Sequence, residues 1–380
     1  MRVPPASIHF PDEDRAWILA RIDECLTSGR LTLGEYGAAL ENAFAELSGV
    51  RYAVAVNSGT SALEIILRAL NIAGREVVVP TNTFFATAAA VLHADGRVRF
   101  ADCEPESFSL DVGSLEASLR PSTAAVIIVH IGGIITPQIE RIREICQAAG
   151  VPLVEDAAHA YGCGLGGQRA GSFGIAAAFS LYPTKVITSA EGGMIVTNDE
   201  SLYREALIYR DQGKEGFTTN YHVRLGHNWR MSEPHAIIGL SQLNRLEEFI
   251  ERRAEIAAIY DERLVDLFAL APVKPPAESR CNYYKYVAIL EGVDRASLKT
   301  IMREQFDVGL SGEVYETPCH LQPIFAGYSD GPLPQAERLC AHHVCLPISA
   351  RMTREDATYV VESLARSLTS LSAEPVGAGD

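Results

Sequence analysis

Seven short runs rich in β-branched or small apolar residues recur between residues 52 and 197: YAVAVNS, EVVVP, RVRFAD, AAVIIVH, VPLVED, AAAFSL and GMIVTN. Several are separated by stretches of helical periodicity, such as SALEIILRAL at 61–70 and QIERIREICQAAG at 138–150. Runs that are apolar almost throughout need burial on both faces. Strands that alternate with helices are joined in parallel by crossovers that lay those helices over the sheet. The chain is therefore read as α/β, with a mostly parallel seven-stranded sheet between helices. Ligands of such sheets gather beyond the carboxyl ends of the strands, so the residues leaving each strand carry the functional information.

After residue 230 the pattern changes. HAIIGLSQLNRLEEFIERRAEIAAIYDERLVDL, residues 235–267, keeps helical periodicity and alternating charge over about nine turns and predicts one long connecting helix. The proline-rich LAPVKPPAES follows, then the strand-like YYKYVAIL and amphipathic stretches at 295–305 and 353–368. These predict a smaller α+β C-terminal domain over 251–380 beside a large domain over 1–250 that begins with a helical segment. The closing SAEPVGAGD has no apolar pattern and is expected to fray.

A formal charge of −15 disfavours a polynucleotide or an anionic membrane as partner, because the summed field repels both. The longest apolar run, AAVIIVHIGGII at 124–135, is too short to span a bilayer. The 8 cysteines form no CxxC pair and no secretory segment is expected. Reduced thiols, a cytoplasmic location and no metal site are the corresponding expectations.

Three strand exits carry chemistry. The first leaves into NSGTSALE, where Asn57, Ser58, Gly59, Thr60 and Ser61 present small hydroxyls and amides at the start of a helix, a geometry that binds phosphate and also caps helices. VPLVEDAAHAYG places Glu155 and Asp156 at the end of an apolar strand, where an unpaired carboxylate is costly, so one of them should have a cationic partner. FSLYPTK brings Lys185 to the next exit, preceded by Ser180. A phosphate cradle, a buried acid and a lysine match the three parts of pyridoxal 5′-phosphate: its dianion, its basic ring nitrogen and its aldehyde. Lysine forms a Schiff base with a carbonyl, and the acid keeps the ring nitrogen protonated so that the ring withdraws electrons. His93 and His130 read as packed or capping side chains, and Glu191 with Gly192 and Gly193 as a turn.

NSGTSALEIILRAL, VVVPTNTFFATAAAVLHADGRVRFADCEPESFSLD, VPLVEDAAHAYG, AGSFGIAAAFSLYPTKVITSAEGGMIVTND, LGHNWRMSE and YETPCHLQPIF occur in this order. Over roughly residues 5–370 the chain thereby resembles the DegT/DnrJ/EryC1/StrS sugar aminotransferases, pyridoxal phosphate enzymes of fold type I, the aspartate aminotransferase-like architecture. The resemblance implies that Lys185 is the Schiff-base lysine, that Asp156 partners the ring nitrogen and that His159 hydrogen-bonds the ring oxygen. It further implies that Gly59, Thr60 and Ser180, with Ser61 in the same loop, hold the phosphate, and that Phe84 stacks on the ring. Asn228 would reach the phosphate site of a second subunit, which makes a homodimer with shared sites the expected assembly. His320 falls on the nucleotide-sugar side of the family's motif, and Arg230 is a further candidate there because a diphosphate approaching an acidic chain needs local cations. Pro234 and His235 stand where isoleucine and glutamine are usual, and Gly132 where an aromatic is common. The implied reaction is amino transfer to a nucleotide-linked keto-deoxysugar, a 4-keto-6-deoxyhexose, with glutamate as donor. A cyclitol or a C3-keto-sugar is the alternative acceptor, and a non-catalytic cofactor-binding regulatory protein the alternative of another class.

Overall fold

The computed structural model describes residues 2–216 and 218–373, so the tail expected to fray falls outside them from residue 374 onward. Each of the seven apolar runs supplies one strand: Tyr52–Val56 (β1), Glu76–Pro80 (β2), Arg97–Ala101 (β3), Thr123–Val129 (β4), Leu153–Asp156 (β5), Ala176–Ser180 (β6) and Gly193–Thr197 (β7). They form one sheet in the order β1-β7-β6-β5-β4-β2-β3. The central pairings are parallel, while β7 runs antiparallel to both its neighbours. The carboxyl ends of the other six strands therefore share one edge, and the amino end of β7 joins them there.

Alternation along each strand divides the core in two. Val77, Val79 and Ile127 point into a cluster with Ile65 and Ile66, from helix Gly59–Ala69 (α3), and Ala88 and Val91, from Phe85–His93 (α4). Val78, Val126 and Ile128 point the other way, toward Leu40 and Phe44 of Glu35–Ser48 (α2) and Ile139 and Ile142 of the helix Ile139–Ala148. All seven residues of β4 are buried, as a strand covered on both faces must be.

A third core lies around a small antiparallel sheet of Leu270–Pro272 (β8), Tyr286–Leu290 (β9) and His343–Leu346 (β10), packed with helices Arg295–Phe306 and Arg354–Ala373. Val3 belongs to this core and pairs with Val308, so the first residues pack with C-terminal elements rather than with the main sheet. The single helix expected over 235–267 is instead two, Glu233–Asn244 and Leu246–Arg263, meeting at Arg245. There the backbone opens to φ −96° and ψ −2°, and the guanidinium binds Asp14 at 2.8 Å and Glu248 at 3.2 Å. The bend lets the second helix leave one core for another: Leu246, Phe249 and Ile250 pack under the main sheet, whereas Ile256, Ala257 and Tyr260 pack on the small one.

The N-terminal helices are tied to this frame by Glu233, 1% exposed. Its carboxylate accepts the N–H groups of Gly34 (3.0 Å), Tyr36 (2.8 Å) and Gly37 (3.0 Å) at the start of α2. A Cβ at Gly34 would come within 2.8 Å of that carboxylate, so the close approach needs glycine. We expect Glu233→Ala to lower the unfolding free energy by about 3 kcal/mol, since buried donors lose a charged acceptor. Denaturant unfolding measures this, and a loss under about 1 kcal/mol would mean that the cap is dispensable.

Candidate active site

At the shared strand edge lies a cavity of about 480 Å³, lined from α3, the ends of β5 and β6, and the segments 284–285 and 312–315. Its size suits a small-molecule site. The floor depends on close backbone contacts. A Cβ at Gly59 would meet the Cβ of Ser180 at 2.7 Å, and one at Gly193 would meet the Ser58 carbonyl oxygen at 2.2 Å. Gly59 and Thr60 thereby reach the cavity in the first turn of α3, where N–H groups have no helical acceptor and the dipole favours an anion. Ser61 does not line it: its N–H donates to Ser58 Oγ at 3.1 Å and its hydroxyl to Asn57 Oδ1 at 2.7 Å, which makes it part of the cap.

Successive residues of β5 point to opposite sides, and the two acids are satisfied differently. Glu155, 0% exposed, binds His130 Nε2 at 2.9 Å and the N–H groups of Gly171 and Gly174 at 2.8 Å each. Glu155 thus takes its hydrogen bonds from an imidazole and two amides, and among the described residues neither acid has the lysine or arginine partner anticipated for one of them. Asp156 accepts the Thr87 hydroxyl at 2.7 Å and the Ala158 N–H at 3.2 Å, and has no Lys, Arg or His side chain within ion-pair distance among the described residues. It faces the cavity, as does Lys185. Burial pushes Lys185 down to about 8, with the charge of Asp156 acting in the opposite direction.

His159 lies over Tyr284 with ring centroids 4.2 Å apart. Burial, then the charges of Lys185 and Lys285, push it well below the ordinary imidazole range. The Gly132 N–H donates to Nδ1 at 3.3 Å, so the neutral ring carries its proton on Nε2, 3.3 Å from the Tyr315 hydroxyl. Phe84 borders the cavity and is 57% exposed, an uncovered aromatic face beside a site for a planar ring. Ser180 completes the rim.

These residues fit pyridoxal phosphate by their chemistry: a lysine with accessible free amine, a carboxylate lacking a cation, and amides at a helix start. Three further predicted residues, besides Ser61, lie elsewhere. Asn228 is exposed on the loop whose Trp229 carbonyl accepts the Asn57 N–H, and it does not line the cavity of its own chain. Arg230 is engaged by Asp211, which also binds Lys214 at 2.8 Å. His320 is 6% exposed, with Nδ1 at 2.8 Å from the Thr81 hydroxyl and Nε2 at 3.2 Å from Glu337. Both candidates for the nucleotide-sugar side are thus committed to internal partners outside the cavity. Conversely, Tyr182, Tyr284, Lys285, Glu313 and Tyr315 line it. Tyr182 lies within FSLYPTK and Tyr315 opens YETPCHLQPIF, but neither was singled out, and Tyr284, Lys285 and Glu313 stood in no functional motif.

Comparison with known proteins places these features. The model of the DegT/DnrJ/EryC1/StrS aminotransferase family matches residues 12–365. A pleiotropic regulatory protein of Geobacillus stearothermophilus is 33% identical over 353 residues, 92% of this chain and 93% of the relative. GDP-perosamine synthase of Escherichia coli O157:H7 is 34% identical over 354 residues, 90% of this chain and 93% of the relative. The crystal structure of NtdA from Bacillus subtilis with bound cofactor PMP aligns with a TM-score of 0.88 at 26% identity, covering 95% of this chain and 83% of that one.

With Lys185 near 8 instead of 10.5, its free-amine fraction in the cofactor-free protein climbs from roughly a tenth at pH 7 to nine-tenths at pH 9. Capture of added pyridoxal phosphate should therefore accelerate through a midpoint close to 8, read as the absorbance change on mixing. Asp156 raises the Lys185 value, so Asp156→Asn should move that midpoint to lower pH. A midpoint above about 10 would show a lysine without the effect of burial.

Proposed function

This chain belongs to the DegT/DnrJ/EryC1/StrS aminotransferase family, and on that premise we propose that it aminates a nucleotide-linked keto-deoxysugar, a 4-keto-6-deoxyhexose, with glutamate as donor. The observation that carries the reading is the cavity itself, where Lys185 and an Asp156 without a cation face one space beside the amides that begin α3. The kinship with GDP-perosamine synthase supports a nucleotide-sugar acceptor.

Pyridoxal phosphate, when bound, supplies an aldehyde and an electron-withdrawing ring through which an amine and a ketone exchange nitrogen. We assign its phosphate to the first turn of α3, with Gly59, Thr60 and the Ser180 hydroxyl. Asp156 would keep the proton on the ring nitrogen, His159 Nε2–H would donate to the ring oxygen, and Phe84 would cover the ring. Lys185 would bind the aldehyde; its amine would take up the proton that leaves the donor α-carbon and, after the keto acid has left, would give one to the sugar carbon that receives nitrogen. One lysine acts as base and then acid, which requires a value near the working pH. Arg230 and His320 could serve the nucleotide only by giving up their carboxylates, so neither receives a contact here.

We further propose a homodimer in which Asn228 completes the phosphate site of the other subunit, in keeping with its exposure and its absence from the cavity of its own chain. A cytoplasmic location accords with eight cysteines that are all buried and unpaired. The kinship with a pleiotropic regulatory protein keeps a regulatory role in view. The complete lysine, acid and amide set favours turnover, and one experiment separates the two.

Incubating the yellow holoenzyme with glutamate should convert it to the aminated cofactor and release 2-oxoglutarate, and a panel of nucleotide keto-sugars should then restore the original spectrum. Absence of the first conversion with every amino acid tried would sink the enzyme reading. Asp156→Asn should bind cofactor yet lose about 3 to 5 kcal/mol in the glutamate half-reaction, roughly a hundred- to several-thousandfold. Near-normal turnover would make Asp156 structural. Mixing Lys185→Ala with Asn228→Ala chains should form heterodimers with one intact site and recover activity that neither homodimer has. Confirmed heterodimers without recovery would place both residues in one subunit's site.

A further inference from the structure

The ionic groups facing the cavity are unequally matched. Among its carboxylates, Glu313 is held by Lys299 Nζ at 2.8 and 3.0 Å, Asp156 by a hydroxyl and an amide, and Glu191 is exposed to solvent. Among the described residues no arginine lines the cavity, and its cationic side chains are Lys185 and Lys285. Among the described residues no carboxylate pairs with Lys285, whose ammonium lies 5.5 Å from the centroid of the Tyr284 ring. Lys185 lies 5.0 Å from the same centroid, so both ammonium groups border one ring that lines the cavity. Lys285 is set firmly: it immediately precedes β9, and its N–H reaches the Gly132 carbonyl at 3.4 Å.

We propose that Lys285 receives the α-carboxylate of the amino donor, an inference that rests on the aminotransferase reading. An α-amino acid carries its carboxylate on the carbon whose amine is exchanged, the carbon that Lys185 must reach to move a proton. The carboxylate is therefore brought to the neighbourhood of Lys185 and loses water there, which is costly without a cation. Lys285 is the unpaired cation in that neighbourhood. The diphosphate of a nucleotide sugar is separated from its ketone by the sugar ring, so that anion lies farther from Lys185 when the ketone is in place. This chemistry selects the donor carboxylate over the diphosphate as the Lys285 ligand.

The test compares binding of two anions to holoenzyme by calorimetry. 2-Methylglutamate lacks the α-hydrogen and does not turn over; GDP, UDP and TDP supply the diphosphate without a ketone. Lys285→Met keeps an unbranched apolar stem against Tyr284 while removing the charge, and the cofactor absorbance checks that the site is intact. It should weaken 2-methylglutamate about tenfold or more and leave nucleoside diphosphate affinity unchanged, and Lys285→Arg should keep most of the donor affinity. Unchanged 2-methylglutamate binding in Lys285→Met, or a loss falling equally or mainly on the diphosphates, overturns the assignment. A wild-type holoenzyme that takes nitrogen from no amino acid overturns the aminotransferase reading itself; one that does, with an unaffected Lys285→Met, overturns only the role of Lys285.

Discussion

Two adjacent carboxylates at the end of a buried strand set the terms for the rest of this site. A strand turns successive side chains to opposite faces, so Glu155 and Asp156 cannot share a partner. Glu155 takes an imidazole and two glycine amides and leaves no acceptor unserved. That satisfaction frees the chain to hold Asp156 with only a hydroxyl and one amide. A buried carboxylate so lightly served is costly in an empty protein and favourable beside a cationic ring. The cost is met by the fold, and the benefit appears with the ligand.

The same economy shapes the approach of the helices. In the proposed reading Asp156 serves only if a phosphate and an aldehyde can be held at fixed places around it. The absence of side chains at Gly59 and Gly193 lets the start of α3 press against Ser180 and lets β7 press against Ser58. The single antiparallel strand puts its amino end, rather than its carboxyl end, at the edge where the ligand sits. The small sheet then brings Tyr284 and Lys285 to the opposite wall. The bend at Arg245 makes this possible, because a straight helix would have carried residues 246–263 away from one of the two cores they join.

The central sheet was legible because its signal is local: apolar runs flanked by helical periodicity yield all seven strands, and residues leaving them, Gly59, Asp156 and Lys185, meet in the cavity. What escaped depends on three-dimensional neighbours. Periodicity continues smoothly through Arg245, and only its ion pairs to Glu13 and Asp14 of the helix Asp12–Ser28 show why the chain bends. His130 read as a packing residue because its partner is 25 positions away on another strand. Arg230 and His320 were attractive as cations in an acidic chain, yet Arg230 is paired with Asp211 and His320 is hydrogen-bonded between Thr81 and Glu337. Tyr284 and Lys285 arrive from a run that read only as a strand, and Tyr315 opens a quoted motif in which the histidine drew the assignment.

Net charge and local charge consequently lead to different conclusions about ligands. The chain carries −15 overall, which repels extended polyanions. In the cavity, however, Glu313 is neutralised by Lys299 and Glu155 is turned away. Helix amides and two lysines face the enclosed space, and there Coulombic attraction is screened far less than at the surface. Small anions that fit inside meet this local field, whereas a polymer outside meets the sum. An acidic protein can in this way bind substrates and a cofactor that are themselves anions, provided its cations are kept free of its own carboxylates at the one place where ligands enter.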